Sequence, residues 1–142
     1  MTLAEHVAAL RRTLYRRLTR ELSRQTSRPF LQLNALRAVL REGITTQAEL
    51  ADRLLVDAPA VSRLVARLEQ DGLLRKGAGK DRRSVRLNVT ARGRRELAFL
   101  ERALSSLEAD IRRHLTREEY ATLGALMQRL HGQLGPEEAA RK

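Results

Sequence analysis

The chain has 142 residues, 42% of them hydrophobic and 3% aromatic, which is enough apolar side chain for one domain's core and favours helices over strands. It has no cysteine, so disulfide staples, thiolate metal ligands and thiol redox switches are excluded. A formal net charge of +11 points to a polyanionic partner, either nucleic acid or an anionic membrane surface.

That charge is focused. Residues 1–43 carry a net +6, residues 44–74 carry −2, residues 75–95 carry +8 and residues 96–142 carry −1. No apolar run approaches the ~18 residues of a membrane span, and Glu5, His6, Arg11 and Arg12 interrupt the N-terminus. The sequence therefore predicts neither a signal peptide nor a membrane span, and a cytoplasmic protein is expected.

The first helix opens at a capping box, Thr2 with Glu5, and carries Leu3, Val7, Leu10, Leu14, Leu18 and Leu22 at helical spacing, with arginines opposite. Ser27-Arg28-Pro29 is its predicted stop. A second helix follows with Phe30, Leu33, Leu36, Val39 and Leu40 inward, closed by Gly43 as a C-terminal cap. Two short helices come next, roughly 46–54 and 58–71. Thr46 with Glu49 forms the box of the first, and Asp57 caps the second, with Pro59 in its first turn.

Two short helices in tandem, the second opening on small and hydroxyl residues, read as a helix-turn-helix. Leu50, Leu54, Val61, Leu64, Val65 and Leu68 supply the shared core. That leaves Pro59, Ala60, Ser62, Arg63 and Arg67 facing outward. Short residues let a helix approach the major groove, and arginine can bond guanine or phosphate. Thr46 and Gln47, at the start of the preceding helix, complete this set of DNA-contacting candidates.

After Gly72 the pattern changes period. Residues 73–76 and 84–89 read as two strands, with Val85, Leu87 and Val89 on one face. Between them lies a tip, residues 77–83, that carries Lys80, Asp81, Arg82 and Arg83. A hairpin directly after a recognition helix is a wing, whose cations suit phosphates or the narrow minor groove. Asp81 is expected to hold a neighbouring arginine in place.

Thr90 caps a fifth helix, 91 to about 115, with Leu97, Leu100, Leu104, Leu107 and Ile111 forming a coiled-coil-like seam. Thr116 with Glu119 opens a sixth, 117 to about 134, with Tyr120, Leu123, Met127, Leu130 and Leu134 on one face. The tail "GPEEAARK" is expected to fray.

The run Asp81-x-Arg83-x-x-x-Leu87-x-Val89-Thr90-x-x-Gly93 resembles the wing signature of the MarR family of winged-helix transcriptional regulators, and residues 49–74 resemble its helix-turn-helix. The resemblance implies a mainly α fold. A winged helix-turn-helix lobe (29–93, wing at 73–90) would join a helical dimerisation region built from N- and C-terminal helices (1–28 and 94–135). It also implies a homodimer on a pseudo-palindromic double-stranded operator, and a small aromatic or phenolic effector. His6 and Tyr15 are the candidates for lining an effector pocket. One departure is Leu55, where the family commonly has glycine; if φ is positive there, leucine costs on the order of 1 kcal/mol.

No enzyme is expected, nor any cofactor or metal. His6, His114 and His131 lack ligand spacing, and Gly77-Ala78-Gly79 lacks the Lys-Ser/Thr sequel of a phosphate loop. The expected function is a sequence-specific dimeric regulator, a repressor released by a small-molecule effector. The alternatives are a basic architectural protein with little sequence preference and, more remotely, a membrane-surface protein.

Overall fold

The computed structural model describes residues 1–78 and 85–135. Among them, six helices and one hairpin follow in the order α1 (Leu3–Ser23), α2 (Phe30–Arg41), α3 (Gln47–Leu54), α4 (Ala58–Gln70), β1 (Leu74–Ala78), β2 (Val85–Val89), α5 (Ala91–Arg113) and α6 (Arg117–Leu134). The chain divides into two compact units, the first ending at Leu104 and the second starting at Ser105 within α5.

The caps explain most of the boundaries. At Thr2 and Thr116 both halves of the capping box form, the hydroxyl accepting from the Glu N–H and the Glu carboxylate accepting from the Thr N–H. Thr46 differs. Its hydroxyl accepts from Glu49 N–H at 3.2 Å, but the Glu49 carboxylate reaches one residue further back, to Thr45 N–H at 3.2 Å. The first helix also stops four residues before Ser27, because the N–H groups of Gln25 and Thr26 both return to the Leu22 carbonyl.

Two helix ends share one geometry. At Gly72 (φ +74°) the N–H bonds Glu69 O, and the next N–H, from Leu73, bonds Leu68 O. At Leu55 (φ 56°, ψ 43°) the N–H bonds Asp52 O, and that of Val56 bonds Ala51 O. Both are left-handed Schellman-type stops, normally built with glycine. Leu55 fills the same role with a β-carbon, and at 89% exposure its side chain gains no burial in return.

The core of the first unit draws on every element. Leu22, Leu33, Leu36, Leu50, Val65 and Leu68 join Leu73 just before β1, Leu87 from β2, and Leu97 and Leu100 from α5. Leu97 and Leu100, the first residues of the α5 seam, are thus occupied inside this chain's own core. In α6, by contrast, no residue is buried, and Leu123, Met127, Leu130 and Leu134 are exposed. Leu3, Val7 and Leu10 on α1 are exposed as well.

The hairpin is antiparallel, pairing Leu74 with Val89 and Lys76 with Leu87. β1 begins one residue later than the sequence predicts and runs on through Gly77 and Ala78. Of the three residues expected on one face, Leu87 is buried, Val89 half-buried and Val85 exposed, so the apolar face ends partway along the hairpin. Leu87 N–H also donates to Thr45 O at 2.8 Å, tying the hairpin to the segment before α3.

Where β2 turns into α5, Thr90 acts three times. Its N–H donates to Leu73 O at 3.1 Å, its hydroxyl donates to Gly72 O at 2.7 Å, and that oxygen accepts from Gly93 N–H at 3.0 Å. A β-carbon on Gly93 would stand 2.2 Å from Leu73 O and 2.8 Å from Val89 Cγ1.

Two substitutions should move stability in opposite directions. Gly93→Ala meets backbone rather than a flexible side chain, so it should cost about 1–3 kcal/mol. Leu55→Gly relieves roughly 1–2 kcal/mol of left-handed strain against about 0.5–1 kcal/mol of extra chain entropy, so it should stabilise by about 0.5–1 kcal/mol. Urea melts of the three proteins check both signs.

Candidate nucleic-acid interface

Helix α4 presents the face that matters. Asp57 Oδ1 accepts from Ala60 N–H at 2.7 Å, fixing its first turn, and Val61, Leu64, Val65 and Leu68 are buried beneath it. Pro59, Ser62, Arg63 and Arg67 are exposed on the other side, and Ala60 is half-buried. Arg63 and Arg67 lie about one turn apart on the same face. The outward set read from the sequence is therefore brought together on one surface.

The two arginines differ in their surroundings. Arg63 has no ion-pair partner among the described residues. Arg67 donates through Nε to Asp71 Oδ2 at 3.1 Å, and the same oxygen accepts from Arg28 Nη1 at 3.0 Å. Arg28 also donates to Gln32 Oε1 at 2.8 Å, and its Nε stands 3.8 Å from Glu96 Oε2. The Arg28 hydrogen bond, with Arg67 adding to it, holds the Asp71 carboxyl below its ordinary value of 3.8. Sequence reading missed this cluster. Arg28 read only as part of a helix stop, and no local pattern signals a contact to a residue 43 positions away.

Thr46 and Gln47 are half-buried, and the Thr46 hydroxyl is engaged as the α3 cap. Lys80, Asp81, Arg82 and Arg83 lie outside the described residues. On the described part of the hairpin, Arg75 and Arg86 are exposed.

The effector candidates are not brought together. His6 and Tyr15 sit about two and a half turns apart on α1, on opposite sides of the helix. Tyr15 instead packs edge-on against Phe30, with ring centroids 5.2 Å apart. In the second unit, Arg112, Leu115, Thr116, Arg117, Tyr120 and Ala121 line an open cleft of about 610 Å³. There Arg112 stacks over the Tyr120 ring at 4.1 Å. The phenol donates to Glu108, which raises the Tyr120 pKa above its usual 10.0. Among the described residues no group of three His, Asp or Glu could hold a metal ion, and no helix is long and apolar enough to cross a membrane.

Tandem helices with an exposed second face, followed by a hairpin anchored at its root, define a winged helix-turn-helix protein. The MarR family model matches residues 22–84. The transcriptional regulator PA3341 is 25% identical, with a TM-score of 0.80 over 94% of this chain and 98% of its own. A MarR mutant from E. coli complexed with operator DNA has 24% identity and a TM-score of 0.73, over 90% of this chain and 92% of its own. NadR in complex with 4-hydroxyphenylacetate has 22% identity and a TM-score of 0.77, over 92% of both chains. The likeness to the last two concerns the fold. No curated protein matches the chain.

The Asp71 cluster carries a pH signature. Its carboxyl is lowered in the folded state, so the stability it lends is complete above its ordinary value of 3.8 and is lost as pH falls through the lowered one. Asp71→Asn should therefore melt below wild type at pH 7. The gap should close as the pH drops below 4, as read by thermal melts across pH 2.5–7.

Proposed function

We propose that the protein is a sequence-specific, dimeric DNA-binding transcriptional regulator, a cytoplasmic repressor released by a small-molecule effector, and not an enzyme. The observation that carries this reading is the outward face of α4, where Pro59, Ser62, Arg63 and Arg67 stand exposed over a buried apolar stripe. In this role α4 enters the major groove, the N-terminus of α3 with Thr46 and Gln47 faces the backbone, and Lys80, Arg82 and Arg83 of the wing take phosphate or the minor groove. Asp81 steadies one of those arginines.

Dimerisation is supported by the apolar side chains that α1 and α6 leave exposed, among them Leu3, Val7 and Leu10, and Leu123, Met127 and Leu130. On this reading, residues 1–28 and 94–135 form the dimer region around the lobe of residues 29–93. Two α4 helices then read half-sites about 10 bp apart, and the bound dimer blocks polymerase. The 4-hydroxyphenylacetate held by NadR supports a small aromatic or phenolic anion as the effector class. His6 and Tyr15 belong to one effector site only if the dimer contributes them from different protomers.

Selection of bound sequences from a random DNA pool tests this function. An enriched inverted repeat is expected. Steeply salt-dependent binding with no enriched motif would instead identify a basic architectural protein, which the net charge of +11 also suits. Light scattering at low micromolar concentration should give about twice 16.1 kDa. On the selected operator, Arg83→Ala should cost about 1–3 kcal/mol of affinity. Arg112→Ala, whose guanidinium is stacked on Tyr120, should leave affinity unchanged.

A further inference from the structure

The two arginines of the α4 face are held differently, and the difference assigns them different work. Arg67 spends one nitrogen, Nε, on Asp71, and among the described residues its two terminal amino groups have no hydrogen-bond partner. Asp71 is itself held by Arg28, a side chain only 17% exposed that also bonds Gln32. A chain of contacts thus runs from the α1–α2 junction through Arg28 and Asp71 to a guanidinium that is 64% exposed on the outward face. A flexible arginine loses rotamer freedom when it binds, whereas one already restrained through Nε has lost much of it beforehand. Two parallel N–H groups at a fixed position match the O6 and N7 acceptors of guanine. Arg63, with no such restraint among the described residues, is suited to a phosphate, which accepts from many directions.

Resting on the regulator reading above, we propose that Asp71 is a positioning residue that presents Arg67 as the base-reading arginine of the recognition helix, while Arg63 grips the backbone. Asp71 does not itself touch DNA. It aims the guanidinium, and Arg28 fixes the carboxylate in turn. Because both donors meet the same Asp71 oxygen, the carboxylate couples the shielded Arg28 to the exposed Arg67.

The experiment is a binding series over all single-base variants of the selected operator, run with wild type, Arg67→Lys, Asp71→Asn and Arg63→Lys. Lysine keeps the charge but cannot hold Asp71 and a two-acceptor base edge together. Arg67→Lys should flatten preference at one symmetric pair of positions by about tenfold or more, and Asp71→Asn should flatten the same pair. Arg63→Lys should keep the wild-type profile. Arg67 is mostly exposed, so that variant tests the idea even if Asp71→Asn folds poorly. The inference is overturned if Arg67→Lys retains the wild-type profile, or if folded Asp71→Asn loses affinity evenly at every position. A wild type without any base preference would instead overturn the regulator reading itself.

Discussion

The lobe depends on a backbone approach that only glycine permits. At Gly93 the first turn of α5 comes so close to Leu73 that a β-carbon would overlap its carbonyl oxygen. Thr90 closes the same junction with one hydroxyl that donates to Gly72 and accepts from Gly93, while its N–H takes up the Leu73 carbonyl. The end of α4, the start of β1, the end of β2 and the start of α5 therefore meet at one point. Moving that point would tilt the outward face of α4 relative to the hairpin. The Thr90-x-x-Gly93 spacing is the local chemistry of this knot: a cap needs its donor three residues on, and here that donor is a residue with no side chain.

Much of the architecture was legible because it is local. Caps, periodicity and glycine stops act within a few residues, so six helices and a hairpin could be read from order alone. The misreadings also have local causes. The Glu49 carboxylate chose the N–H of Thr45 over that of Thr46, two donors that differ by one residue and that no composition separates. The α5 seam read as one continuous coiled-coil-like stripe. The chain's own core takes Leu97 and Leu100, because a 3–4 repeat marks a buried stripe without saying what buries it.

The candidate site was legible as a set of residues and not as a network. Outward positions on α4 follow from which residues are apolar, so Pro59, Ser62, Arg63 and Arg67 fell on one surface as read. The contact between Arg28 and Asp71 depends on how α1, α2 and α4 pack, which helical periodicity does not encode. His6 and Tyr15 failed for a different reason, one that their spacing of nine residues already carried. Their residue types suited a ligand, yet half-turn geometry sets them on opposite sides of one helix.

Placement of charge separates steering from reading. A net +8 over residues 75–95 raises the local potential wherever the hairpin goes, and such a field attracts any polyanion alike. Selectivity needs the reverse condition, a cation whose direction is restrained before it meets its target. Within the described lobe Arg28 and Asp71 are largely shielded, while Arg67 carries its charge outward from them. The shielded pair gives little to the net field, because its two charges cancel at distances beyond their separation. What it supplies is direction. On the proposed reading, the cationic hairpin supplies attraction to DNA and the buttressed Arg67 supplies recognition of its sequence.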